Sequence, residues 1–353
     1  MLNIIERLDR ARFAPAVAVL KKGGKLDAEV ESLGIPFIKA PFTIPAKSYA
    51  TLLPRAWQVA QVFRPYGFAL WHSFHYSEDY TEPLIAYLSG ARRWIYTKNN
   101  MSWGTRAWKL RSLLASAILC QNSDMLTKFF SHLFYNKKAR LLPPGVDTAI
   151  FHPNVQPVNN IRSRLGIGRD EIVIVCVADL VPVKGHPALL EAIARVPDVH
   201  LLLAGRLSYE SYYQQVYRQA EELEIVNRTH FLEIVENIPA LLAESDIFVL
   251  PTIAKGEGCA IALLEAMACA KACVVTDVPG SHDVIQHGET GLLSKPEDAQ
   301  SLALALQRLA EDPDLRTRLG QSALQHVRSN YTIEREAESH TRLYENLLES
   351  HAS

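Results

Sequence analysis

Cysteine is scarce. The 353 residues hold five, Cys120, Cys176, Cys259, Cys269 and Cys273, odd in number and scattered. That excludes a disulfide-stapled secreted scaffold and fits a reduced, cytoplasmic compartment. Cys269 and Cys273 are four apart, but no His or third Cys lies near them in a ligand spacing, so they read as packing residues. An excess of charge of one sign is also lacking: 37 bases face 38 acids, for a net charge of −1. Nothing in that balance calls for nucleic acid as a partner. No apolar run reaches about 18 residues, the length of a membrane-spanning helix. The first residues carry Glu6 and Asp9 in place of a continuous apolar stretch, unlike a signal peptide. Three catalytic motifs are missing too. The strand exits read ADLVPVKG after Val177 and PTIAKGEG after Leu250, not G-x-G-x-x-G. A dinucleotide-dependent dehydrogenase is thereby disfavoured, and the absence of G-x-x-x-x-G-K-[ST] and of G-x-S-x-G removes P-loop enzymes and α/β-hydrolases.

What is present is alternation. Short β-rich runs occur at Ala14 to Lys21, Pro36 to Ala40, Phe68 to Phe74, Trp94 to Thr97, Ala117 to Gln121 and Ala139 to Leu142. Helical patterns lie between them, as at Ser48 to Phe63, Glu82 to Ser89 and Arg106 to Ala115. The pattern breaks at LPPGVDTAIFHP, Leu142 to Pro153, and then resumes. The length suits two domains, each a doubly wound parallel α/β sheet. In the second half the strands are Ile172 to Val177, His200 to Ala204, His230 to Ile234, Asp246 to Leu250 and Cys273 to Thr276. Such a sheet commonly has order 3-2-1-4-5-6 and binds ligands beyond its first and fourth strands. The loops 179–185 and 252–260 would border that crevice and bring Lys184 and Glu257 to one site. A lysine, loop amides and a helix N-terminus there suit an anion such as a nucleoside diphosphate.

The stretch LPTIAKGEGCAIALLEAMACAKACVVTD, Leu250 to Asp277, reads as strand, loop, helix, strand. Glu257 sits in the loop and Glu265 in the helix, seven residues intervening. The frame GEGCAIALLEAMA resembles the E-x7-E signature of the retaining GT-B glycosyltransferases of family four, E-G-F-G-x-x-x-L-E-A-M-A. The resemblance implies two Rossmann-like domains facing a cleft, at 1–146 and 147–330, with a last helix, 331–353, crossing back to the first. It implies transfer from a nucleotide-sugar donor to a saccharide or lipid-linked acceptor, with no cofactor and no catalytic metal. Cell-surface polysaccharide assembly is the family default. Glu257 would orient the donor sugar, Glu265 would bond the ribose, and Gly258, Cys259 and Ala260 would present backbone amides. ADLVPVKGH is similar to the family's G-R-L-x-x-x-K-G, which gives Lys184 and Gly185 to the donor diphosphate. Asp179 stands where the family has Arg, and an acid there repels phosphate unless it points away or pairs with Lys184; Lys255 is a second base that could substitute. Other matches are GETGLL at Gly288 to Leu293, VVTDVPGSHDVI, and the linker, which resembles N-G-V-D-x-x-x-F-x-P.

In the first half, FALWHSFHYSEDY resembles the family strand ending in V-H-x-H, which makes His72 and His75 candidates for the reaction centre. The segment Tyr96 to Gly104, with Lys98, Asn99, Asn100 and Trp103, would offer amides and an indole to a sugar. Relatives open with a strand and a Gly-rich loop before their first helix, whereas MLNIIERLDRARF already reads as that helix. The expectation is a start downstream of the true one or a degenerate binding relative; a GT-B sugar-nucleotide epimerase is the other alternative. The basic, aromatic stretch Lys128 to Arg140 reads as a packed helix, with a peripheral contact to anionic membrane at the inner face as its functional alternative.

Overall fold

The computed structural model describes residues 1–24, 26–46, 49–103, 105–156, 160–253 and 258–349. The chain divides into two compact units, Met1–Pro143 with Ile333–Ser353, and Pro144–Thr332. Each is an α/β unit in which every strand pair is parallel.

Unit 1 holds strands β1 (Val17–Val19), β2 (Phe37–Lys39), β3 (Leu70–Ser73), β4 (Arg93–Lys98), β5 (Ala117–Cys120) and β6 (Ala139–Leu141). They form a two-stranded sheet, β1-β2, and a four-stranded sheet, β3-β4-β5-β6. Helices α1 (Leu2–Arg7), α2 (Asp27–Ser32), α3 (Tyr49–Phe63), α4 (Thr81–Leu88), α5 (Ala107–Leu114), α6 (Ser123–Phe130) and α7 (Leu133–Asn136) connect and cover them. Ile95, Ile118 and Leu119 of the inner strands are fully buried, as a parallel sheet covered on both faces requires. Among the described residues β1 pairs only with β2, and β3 only with β4. A cavity of about 460 Å³ is lined by residues of both strands, including Val17, Ala18, Trp71 and His72. The stretch Lys128 to Arg140 is not one helix. Ser131 ends α6, His132 turns extended (φ −69°, ψ 141°), and its ring accepts from the Phe134 amide to start α7 before β6 begins. Residues that hydrogen-bond their own backbone favour helix ends over helix interiors.

Unit 2 holds β7 (Ile172–Val177), β8 (Val199–Ala204), β9 (Thr229–Glu233), β10 (Ile247–Leu250), β11 (Ala272–Thr276) and β12 (Leu292–Ser294), in the order β12-β11-β10-β7-β8-β9. Counted within the unit this is the 3-2-1-4-5-6 order, with the reversal between β7 and β10. The strand IVIVCV is apolar on both faces because helices cover both. Those helices are α8 (Ile161–Arg164), α9 (His186–Ala194), α10 (Glu210–Glu222), α11 (Ile238–Ala243), α12 (Ile261–Ala268), α13 (Ser281–Val284), α14 (Ala299–Glu311) and α15 (Pro313–Asn330). Several start on side-chain caps: Asn237 accepts from the Ala240 amide, Asp298 from Ser301 and Asp312 from Leu315. Each such cap stabilises by about 1 kcal/mol.

The chain then returns to unit 1 as α16 (Ile333–Glu349). Tyr344 joins Leu8, Ile95 and Ala117 in a buried cluster, against which Leu343 and Leu347 pack.

Candidate functional site

The site in unit 2 is built by loops leaving β7, β8 and β10. The β7 loop ends in a short 3-10 turn, Pro182–Lys184, and Gly185 takes a left-handed conformation (φ 70°) that starts α9. Gly185 is required twice over: a Cβ there would lie 2.0 Å from the Pro251 carbonyl oxygen in the β10 loop. The Ile253 amide donates to the Val183 carbonyl at 3.0 Å. The two switch-point loops are therefore fastened together, which places Lys184 beside the exit of β10. Glu257 and Lys255 lie outside the described residues.

Lys184 is partly buried. Burial pulls its pKa down, and the thiol of Cys176 and the carboxylate of Asp179 oppose that pull. Helices α9 and α12 both begin without a side-chain cap and without an acid in the first turn. Their first amides and dipoles suit an anion. Ala260 is the extended N-cap of α12, and Cys259 is partly buried just before it. Gly280 (φ 87°) packs against Gly258, whose carbonyl oxygen a Cβ would meet at 2.5 Å.

Glu265 stands on the second turn of α12. No hydrogen bond or ion pair to its carboxylate is found among the described residues, and burial pushes its pKa up to about 7. A carboxyl poised in that way accepts well from a pair of hydroxyls.

Asp179 does not sit as a bare acid at the phosphate position. Arg206, just past β8, donates from Nη2 to Asp179 Oδ2 at 2.9 Å and from its backbone amide to Oδ1 at 3.2 Å. Burial raises the Asp179 pKa, but the hydrogen bonds from Arg206 outweigh it and hold the carboxyl below its ordinary range. The Leu180 amide donates to the Arg206 carbonyl, and a Cβ on Gly205 would strike the Ala178 carbonyl oxygen at 2.0 Å. Arg206 thus brings a second cation to the Lys184 side of the sheet, and nothing in the sequence analysis had singled it out. Its signal was the chain position of AGR directly after the strand next to β7.

In unit 1, His72 lies inside β3. Its ring nitrogens share hydrogen bonds with Tyr344 Oη of α16 (2.7 Å) and Thr97 Oγ1 of β4 (2.9 Å). Burial, then the neighbouring His340 and the chain amino group, lower its pKa well below the ordinary value, so the ring is neutral. His75 is exposed beyond the strand end, its ring edge-on to Phe42 at 5.5 Å. The Asn99 side chain donates to the Phe74 carbonyl and ties the two loops together. Trp103 does not present its indole as a sugar platform. It stacks on Trp108 (5.6 Å between centroids) under the Lys98 ammonium, 3.7 Å above its ring. Lys98 is 2% exposed and donates to Asn100 Oδ1 and the Ser102 carbonyl. Burial brings its pKa down to about 7.

Comparison with known proteins shows what this arrangement resembles. Residues 157–326 match the family Glycosyl transferases group 1. Unit 2 is similar to a group 1 glycosyltransferase domain. The chain is 29% identical over 250 residues to a GDP-mannose-dependent alpha-(1-6)-phosphatidylinositol monomannoside mannosyltransferase of Mycolicibacterium smegmatis, covering 65% of this chain and 64% of that one. It is 27% identical to an N-acetyl-alpha-D-glucosaminyl L-malate synthase of Bacillus anthracis, over 65% of this chain and 61% of the other. The chain thus spans less than two thirds of these relatives' length. Among solved structures, a glycosyltransferase from Rickettsia africae superposes with a TM-score of 0.88 at 18% identity, over 100% of this chain and 94% of that one. Anabaena HepE in complex with UDP and glucose gives 0.83 at 19% identity, over 98% and 94%. These similarities show the fold: parallel α/β, as in GT-B glycosyltransferases.

Proposed function

We propose that this chain is a retaining glycosyltransferase that moves a sugar from a nucleoside-diphosphate sugar to a saccharide or lipid-linked acceptor in cell-surface polysaccharide assembly. The observation that carries the reading is the group 1 match, because residues 157–326 contain both switch-point loops. Relatives named for mannosyl and glucosaminyl transfer, and HepE solved with UDP and with UDP-glucose, support the donor class.

In this reading the bond between the anomeric carbon and the diphosphate oxygen breaks as the acceptor oxygen bonds on the same face. The departing diphosphate takes the acceptor proton. Lys184, Arg206 and the first amides of α12 carry the developing charge; Glu265 accepts from the ribose hydroxyls. Glu257 would orient the donor sugar, and His75, the exposed histidine of the pair, is the residue of unit 1 proposed to act on the acceptor. The protein's contribution is positioning and charge stabilisation. This chemistry takes its cations from side chains, so chelation with EDTA should leave turnover unchanged.

The test is a panel of GDP- and UDP-sugars with simple acceptors, reading transfer and the anomeric configuration of the product by NMR. Transfer with retention supports the proposal. Inverted product refutes the mechanism. Nucleotide binding without transfer or hydrolysis indicates a degenerate binding protein, and isomerised donor indicates an epimerase.

A further inference from the structure

We propose that α5 and α7 of unit 1 form a docking surface for an anionic lipid bilayer. Leu133 and Phe134, the first residues of α7, are 77% and 69% exposed. Leu110 and Leu113 of α5, three apart on one helix face, are exposed as well. The two helices are joined: Tyr135 Oη donates to the Lys109 carbonyl, and Lys138 Nζ to the Leu113 carbonyl. Four large apolar side chains therefore stand in water on adjoining elements. Behind them Trp108 packs against Phe129, Phe130 and Tyr135, a rigid aromatic backing that holds the exposed residues outward.

Charge decides what covers this surface. From residue 106 to 146 the only acid is Asp124, in a chain whose net charge is −1. Arg106, Lys109, Lys128, Lys137 and Arg140 are exposed around the apolar residues. Lys138 is partly buried, and burial lowers its pKa. Apolar side chains rimmed by lysine and arginine match the interface of an anionic membrane, where acyl chains receive the first and phosphates the second. Nucleic acid would satisfy the bases but has nothing apolar for Leu133 and Phe134. Both residues start a helix whose preceding turn is set by Ser131 and His132, so they form a blunt tip and not a groove for a folded partner. No helix among the described residues is long and apolar enough to cross a membrane, so attachment by this surface would be peripheral.

The inference goes beyond the proposed transferase activity and is read without donor or turnover, so the two fail separately. The full chain is sedimented with phosphatidylglycerol–phosphatidylcholine vesicles and with phosphatidylcholine vesicles alone. Binding is expected only to the anionic set and should weaken with added salt. Leu133→Asp with Phe134→Asp should lower the partition roughly tenfold or more. Lys109→Glu and Lys137→Glu should each lower it by about fivefold or more. All four positions are exposed, and an unchanged circular dichroism spectrum and melting point confirm that each variant is folded. As a second readout, Phe134→Trp should add emission that shifts to the blue on anionic vesicles. Equal binding to neutral vesicles, variants that bind like the parent, absence of sedimentation with either, or an unshifted indole would each overturn the proposal.

Discussion

Lys184 and Glu265 are both drawn partly out of water, with opposite consequences for their charge. Burial works against the ammonium of Lys184 and against the carboxylate of Glu265, so in the proposed reading a diphosphate would relieve the first and ribose hydroxyls the second. Replacing Lys184 by Ala should cost a nucleoside diphosphate about 1.5–3 kcal/mol of binding, roughly 10- to 100-fold in Kd by calorimetry. Arg206→Ala should weaken the same binding less, because its guanidinium is shared with Asp179. Glu265 sets a pH dependence. Its folded pKa, about 7, lies above the ordinary carboxyl value, so the folded state holds the proton more tightly than the unfolded. Stability from this group is complete below the unfolded pKa and is lost as pH rises toward 7. Glu265→Gln should therefore match the parent in denaturant unfolding at low pH. Above pH 7 it should be the more stable, by on the order of 3 kcal/mol. Nucleotide affinity should rise from pH 6 to 8 in the parent and stay flat in the variant. A second carboxylate, Glu82, is 1% exposed and held by Arg111 Nη2 at 2.9 Å, with Ser73 and Trp71 donating to it. Arg111→Met should destabilise unit 1 by about 3–5 kcal/mol, because it strands a buried charge. Neither this pair nor Asp179–Arg206 was legible in the chain. Their partners are 29 and 27 residues apart, brought together by the packing of α4 and α5 and by the pairing of β7 with β8.

At the scale of elements, helix α16 is what His72 serves. The ring bridges Thr97 of β4 and Tyr344 of α16, and Arg93 Nε donates to the Leu347 carbonyl. Tyr344→Phe should cost about 1–3 kcal/mol by leaving a buried ring nitrogen without its partner, read by denaturant unfolding. A chain ending at Thr332 should lose far more, because Leu8, Ile95 and Ala117 would face water. The family resemblance implied α16, and apolar runs marked most strands. The bounds of β7 could be read to the residue. Nothing local could reveal that His72 is claimed by a tyrosine 272 residues away. Lys128 to Arg140 reads as one helix because the Ser131–His132 break shows only as two ordinary polar residues. Trp103 misled for a similar reason: an indole in a loop after a strand looks available until Trp108 stacks on it from the next helix.

For the molecule as a whole, the order of the second sheet was the most legible feature. Apolar runs separated by helices leave few topologies, and the crevice follows from the reversal. The position of Glu257, which the resemblance depends on most, falls outside the described residues. Two separate cores also bear on unfolding. Unit 1 and unit 2 have distinct buried clusters, so scanning calorimetry should show more than one two-state transition. Disruption of Arg111 should lower only the transition of unit 1. The chain route adds a consequence in time. Because unit 1 is closed by α16, which follows unit 2, the ribosome finishes the second unit while the first still lacks its last piece. The domain made first is completed last, and until then its nascent form exposes an apolar seam that a chaperone would recognise.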